Sequence, residues 1–96
     1  MTRLSEKLRR AARRIERGWC QGANARDRND VTVGALDPRA VCWCAAGALS
    51  AESVETGGWL PERYWWLRWN DAPGTVASEM AMALYLAAEI AEEEGR

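Results

Sequence analysis

The sequence predicts a mostly α-helical domain, a compact bundle of about four helices with a long irregular segment between the first two that leaves room for a short β-hairpin. Three observations predict it. Apolar residues recur at three- and four-residue intervals from Leu4 to Ile15, and again from Val76 to Ala91, while Gly, Pro, Asn and Asp gather at the breaks between such runs. A length of 96 residues fits one domain, 1–96, without room for a second core.

The first helix should run from Thr2 to Arg17, burying Leu4, Leu8, Ala11, Ala12 and Ile15, with Gly18 as its stop. Residues 19–36 hold Gly22, Gly34 and the polar run Arg26-Asp27-Arg28-Asn29-Asp30, the composition of a loop. Within it Val31-Thr32-Val33 has strand character, with no evident partner strand. Asp37-Pro38 resembles a helix entry, so a second helix is expected from Pro38 to Ser53. Its buried stripe would be Val41, Cys44, Ala45, Ala48 and Leu49, and Gly47 among alanines would let a neighbouring helix approach closely. Gly57-Gly58 breaks the chain, and Pro61 opens a short third helix to Trp69. After the turn Asn70-Asp71-Ala72-Pro73-Gly74, Thr75 should cap a last helix reaching Glu94, with Val76, Met80, Ala83, Leu84, Ala87, Ile90 and Ala91 inward.

The chain has no Phe but six Trp, so tryptophan is expected to supply much of the core volume. Residues 1–17 carry seven basic and two acidic side chains, residues 71–96 one basic and six acidic, and the net charge is −1. Arg3, Lys7, Arg10, Arg14 and Arg17 share one helical face that could follow phosphates, which is the case for a regulatory nucleic-acid-binding role. Against it, the acidic last helix weakens long-range attraction to a polyanion, and the two end helices can instead pack together and neutralise each other.

Cys20, Cys42 and Cys44 lack disulfide-framework spacing and are expected to be reduced thiols in a cytoplasmic protein. If Cys42 and Cys44 lay in one helix they would point about 200° apart, a poor grip on a metal, and there is no His to complete a ligand set. The same lack removes the usual general base, so no catalytic residue, metal or cofactor is expected and the chain is read as a non-enzymatic protein. The stretch from Val76 to Ala91 is interrupted by Glu79 and Glu89 and falls short of the roughly 20 apolar residues of a membrane span.

The densest signal is Trp59 to Trp69. On a helical projection Leu60, Tyr64 and Leu67 take one side, and Trp65, Trp66 and Trp69 the other, interleaved with Arg63 and Arg68. Trp, Tyr and Arg are the types most enriched at interface hot spots, so these five Trp and Arg residues are the candidate surface for a protein partner. The same tryptophans also suit a core, and a two-fold homodimer would hide them against their own copy.

Trp19-Cys20-Gln21-Gly22-Ala23, the run Ala40 to Leu49 containing Cys42-Trp43-Cys44-Ala45-Ala46-Gly47-Ala48-Leu49, and Trp69-Asn70-Asp71 before Thr75 together resemble a family of small uncharacterised actinobacterial, other bacterial and phage proteins. The resemblance spans about Leu4 to Leu86 and carries no assigned activity. Its phage and mobile-element association implies one role worth naming, a small inhibitor that binds and blocks a host defence complex in the manner of an anti-CRISPR protein.

Overall fold

The computed structural model describes residues 2–54 and 70–96. Along them run α1 (Leu4–Arg17), β1 (Ala25–Arg26), β2 (Thr32–Val33), β3 (Cys42–Trp43), α2 (Ala45–Ala51) and α3 (Ala77–Glu93). The four-helix expectation is thus corrected to a mixed fold in which, among the described residues, three helices pack with an antiparallel sheet of order β2-β1-β3. The expected third helix, 61–69, lies outside the described residues.

The end helices form the body of the domain. α1 buries Leu8, Ala11, Ala12 and Ile15, and α3 buries Met80, Ala81, Leu84, Ala87, Ala88 and Ala91. Alanine on both faces lets the axes approach closely, so the core is made largely of alanine and leucine, with Trp43 at its edge and Trp19 half-buried against it. The helices are antiparallel: Arg9 meets Glu92 at 2.7 Å, the Tyr85 hydroxyl donates to Glu16, and the Ser5 amide donates to the Arg96 carbonyl at 3.3 Å. Arg9 with Glu92 is one instance of the intramolecular pairing of opposite charge that the sequence allowed. The inner stripe of α3 is rotated from the expected one, since Ile90 is 39 % and Val76 48 % exposed while Ala81 and Ala88 are buried. Thr75 does not cap the helix either; Val76 is the N-cap residue and makes no side-chain cap bond.

The hairpin between the first two helices is present, and its partner for Thr32–Val33 is Ala25–Arg26. Asp27 builds the turn: its carboxylate accepts from the amides of Asn29 (2.8 Å) and Val31 (3.0 Å), and Asp30 takes a left-handed φ of 64°. The expected helix from Pro38 starts seven residues later. Asp37 spends its carboxylate on the Arg39 guanidinium (2.9 Å) and then the Arg39 amide (2.8 Å), which closes a tight turn rather than a helix start and lowers its pKa to about 2. Beyond it Cys42–Trp43 pairs with β1, leaving Val41 half exposed. The side chains of Val41-Cys42-Trp43 suit a pleated strand, and pairing outweighs the local helical signal. α2 begins only where Cys44 accepts the Gly47 amide on its sulfur. It ends in a left-handed Ser53 (φ 59°), with the Val54 amide returning to the Leu49 carbonyl at 2.9 Å and the Val54 side chain buried.

Candidate functional site

The sequence motifs meet at one side chain. Asn70 is only 4 % exposed, and each of its polar atoms is used. Its Oδ1 accepts from Trp19 Nε1 (2.7 Å) and from the Ala45 amide (2.9 Å), while its Nδ2 donates to the Cys20 carbonyl (3.3 Å) and to Asp71 Oδ1 (2.9 Å). Gln21 donates to the Asn70 and Ala72 carbonyls, and the Gly22 amide donates to Asp71 Oδ1 at 2.8 Å. The segment after α1, the start of α2 and the entry to α3 are therefore clamped together. Beside the clamp lies a 260 Å³ recess lined by Gly22, Ala23, Asn24, Cys44, Ala46, Asn70 and Asp71. Sequence reading assigned Asn70 and Asp71 to the entry of the last helix; in the structure they bind across the fold. The only signal that set these segments apart was the resemblance carried by their short motifs.

The thiols do not form a ligand set. Cys44 caps α2, Cys42 lies in β3, and Cys20 follows α1; among the described residues no three Cys, Asp or Glu side chains gather in a metal-binding arrangement. The angle argued for a shared helix does not apply, since Cys42 precedes α2 in a strand. Burial, then the hydrogen bond and proximity of Cys42, push the Cys20 thiol up to about 12. Burial also raises Cys44, against the lowering effect of the Gly47 and Ala46 amides. Because the thiolate is the nucleophile, Cys20 in the native protein should alkylate with iodoacetamide near neutral pH at least about tenfold more slowly than in denaturant. Residue-resolved mass spectrometry checks this, and equal native and denatured rates would contradict the burial argument.

The basic face of α1 is partly spent inside the fold. Arg14 pairs with Glu52 at 2.6 Å, the Arg14 and Arg17 guanidinium groups lie 5.1 and 5.8 Å from the Trp43 ring centre, and Lys7 donates to the Ser53 carbonyl at 3.5 Å. Arg3 and Arg10 are exposed. A 510 Å³ groove is lined by Arg10, Arg13 and Arg17 together with Glu16 and Glu52, so it presents carboxylates among its cations. The aromatic set Trp65, Trp66 and Trp69 with Arg63 and Arg68 lies outside the described residues.

A surface absent from the sequence reading stands on α3. Met82, Leu86 and Ile90 are 59, 52 and 39 % exposed and follow one another at four-residue spacing. Their ridge is about 12 Å long and centres about 200° around the axis from the fully buried Leu84, on the pole facing away from the core. Glu79, Glu89 and Glu93 are exposed on the same side, and α3 contains no basic residue. Met82 also borders a 450 Å³ groove shared with Glu16, Ala77, Ser78, Ala81 and Tyr85. Part of the signal was in the sequence, since Met82 and Leu86 fall outside the expected inner stripe and Met80, Leu84, Ala87 and Ala91 are buried as expected. Ile90 was expected inward and faces out.

A family model described as a family of unknown function, DUF6197, matches residues 1–67. The match includes Trp19 and Cys44 and ends before Asn70. Neither the curated proteins nor the solved structures give a match. Among the described residues no helix is long and apolar enough to cross a membrane.

Proposed function

The chain belongs to that family of unknown function, which assigns it no chemistry, and we propose from its own surface that it is a small module that binds another protein. The observation that carries this reading is the apolar ridge of Met82, Leu86 and Ile90 on the pole of α3 away from the core. Single exposed apolar side chains are ordinary, but three in register on one helix make a continuous strip of the kind partner helices cover. Trp65, Trp66 and Trp69 with Arg63 and Arg68 are proposed as a second contact set. Among the described residues, Val54 just before this stretch of the sequence is buried and Asn70 just after it forms the clamp. Steric inhibition of a larger assembly is the form of this function we propose, and a host defence complex is the target class to try first.

Affinity capture from lysate of the source cells, followed by titration of the purified partner, tests the reading. Met82→Ser/Leu86→Ser/Ile90→Ser should keep the circular dichroism of the wild type, because all three side chains are exposed, and should bind at least about tenfold more weakly. If that folded variant keeps full affinity while Trp65→Ala/Trp69→Ala loses it, the contact moves to the aromatic set. Full affinity in both variants sinks both surfaces. A captured nucleic acid whose affinity falls steeply with salt would instead favour the face of Arg3, Lys7, Arg10, Arg14 and Arg17.

A further inference from the structure

We infer that the occupant of the α3 ridge is a basic amphipathic helix of a different protein; the inference rests on the binding reading above and names the partner class. Two properties of the surface select this occupant. The first is shape: Met82, Leu86 and Ile90 rise in one straight line along a helix, and the groove beside Met82 offers one deeper seat bounded by Ala77, Ala81 and Tyr85. A partner helix with apolar residues one turn apart matches both features, because its side chains repeat at the same spacing.

The second property is charge. The ridge is edged by Glu79, Glu89 and Glu93, with Glu16 at the groove, and α3 has no Lys or Arg to balance them. Lys or Arg flanking the partner's apolar stripe would meet these carboxylates, which favours encounter and fixes orientation. Among the described residues, the two long helices of a second copy of this chain are poor occupants. Its α3 would bring another set of carboxylates against the first. The outer face of its α1 offers Arg3, Arg10, Arg13 and Arg17 but no apolar side chain to cover the ridge, since Leu8, Ala11, Ala12 and Ile15 are buried.

Fluorescence anisotropy with synthetic peptides of about five helical turns tests this directly. One peptide carries leucines at helical spacing flanked by lysines; a second keeps the leucines and replaces lysine with glutamate. The wild type should bind the basic peptide at least about tenfold more tightly than the acidic one. Glu79→Lys/Glu89→Lys/Glu93→Lys should reverse that order, and Met82→Ser/Leu86→Ser/Ile90→Ser should weaken the basic peptide at least about tenfold. Equal binding of both peptides, or no binding of the basic one, overturns the partner class. If both bind equally and the serine variant weakens both, the ridge remains a docking surface and only its charge preference falls. If the serine variant binds as the wild type does, the ridge itself is lost as a site.

Discussion

Gly47→Ala is expected to destabilise the protein by about 3 kcal/mol or more, lowering the thermal midpoint by roughly 12 °C at least. A Cβ at this position would sit 1.8 Å from the Asn24 carbonyl oxygen and 2.6 Å from its carbonyl carbon. Both atoms are backbone, so no rotamer change relieves the overlap. The same Asn24 oxygen accepts the Cys44 amide at 3.2 Å, and Asn24 leads directly into β1. Pushing it away would therefore strain the start of α2 and the sheet together. Gly34 supplies the control, because a Cβ there meets nothing within 4 Å, and Gly34→Ala should change stability by no more than about 0.5 kcal/mol. Thermal and denaturant unfolding of the two variants separates the cases. A Gly47→Ala protein as stable as the wild type would show that Asn24 is not held against α2 as described.

Asn70→Ala should cost about 2–3 kcal/mol, the sum of leaving a half-buried indole N–H and a buried backbone N–H without their acceptor. Trp19 Nε1 and the Ala45 amide lose Oδ1, and the Cys20 carbonyl loses Nδ2. Trp19→Phe removes only one of these donors and leaves Ala45 bonded, so its loss should be smaller. If the order were reversed, packing of the indole and not the hydrogen-bond clamp would dominate at this junction. The clamp also makes a pH prediction. The Asn70 side chain first, and the Gly22 amide second, hold the Asp71 carboxyl below its usual 3.8. A depressed folded-state pKa contributes stability that is present above the unfolded value and is lost as pH falls through the folded one. The wild type should therefore lose thermal stability below about pH 4 faster than Asp71→Asn, which keeps an acceptor oxygen but does not titrate there.

Much of the helical framework was legible in the residues. Leu4, Leu8, Ala11, Ala12 and Ile15 on one face, ended at Gly18, specify α1 almost to its observed limits, because an amphipathic stripe leaves one way to bury itself. The opposite charges of the two ends likewise allowed the end helices to pack together, and Arg9 meets Glu92 between them. Local patterns failed where two solutions have similar local energy. Asp37-Pro38 can open a helix or a turn, and Val41-Cys42-Trp43 can continue a helix or extend; pairing with Ala25–Arg26, far away in sequence, decides for the strand. The candidate ridge was legible in part, since Met82 and Leu86 fall outside the expected inner stripe and only Ile90 was expected inward.

The sequence by itself determined the two long helices at the ends, their charge and most of the residues that each buries, because amphipathic periodicity acts within a few residues. Only the tertiary structure decided that Ile90 faces out while Ala81 and Ala88 face in, that Gly47 accommodates the backbone of Asn24 and not a helix, and that Asn70 gathers Trp19, Cys20 and Ala45. Each of those depends on atoms brought together from distant parts of the chain, which no local pattern of a few residues encodes.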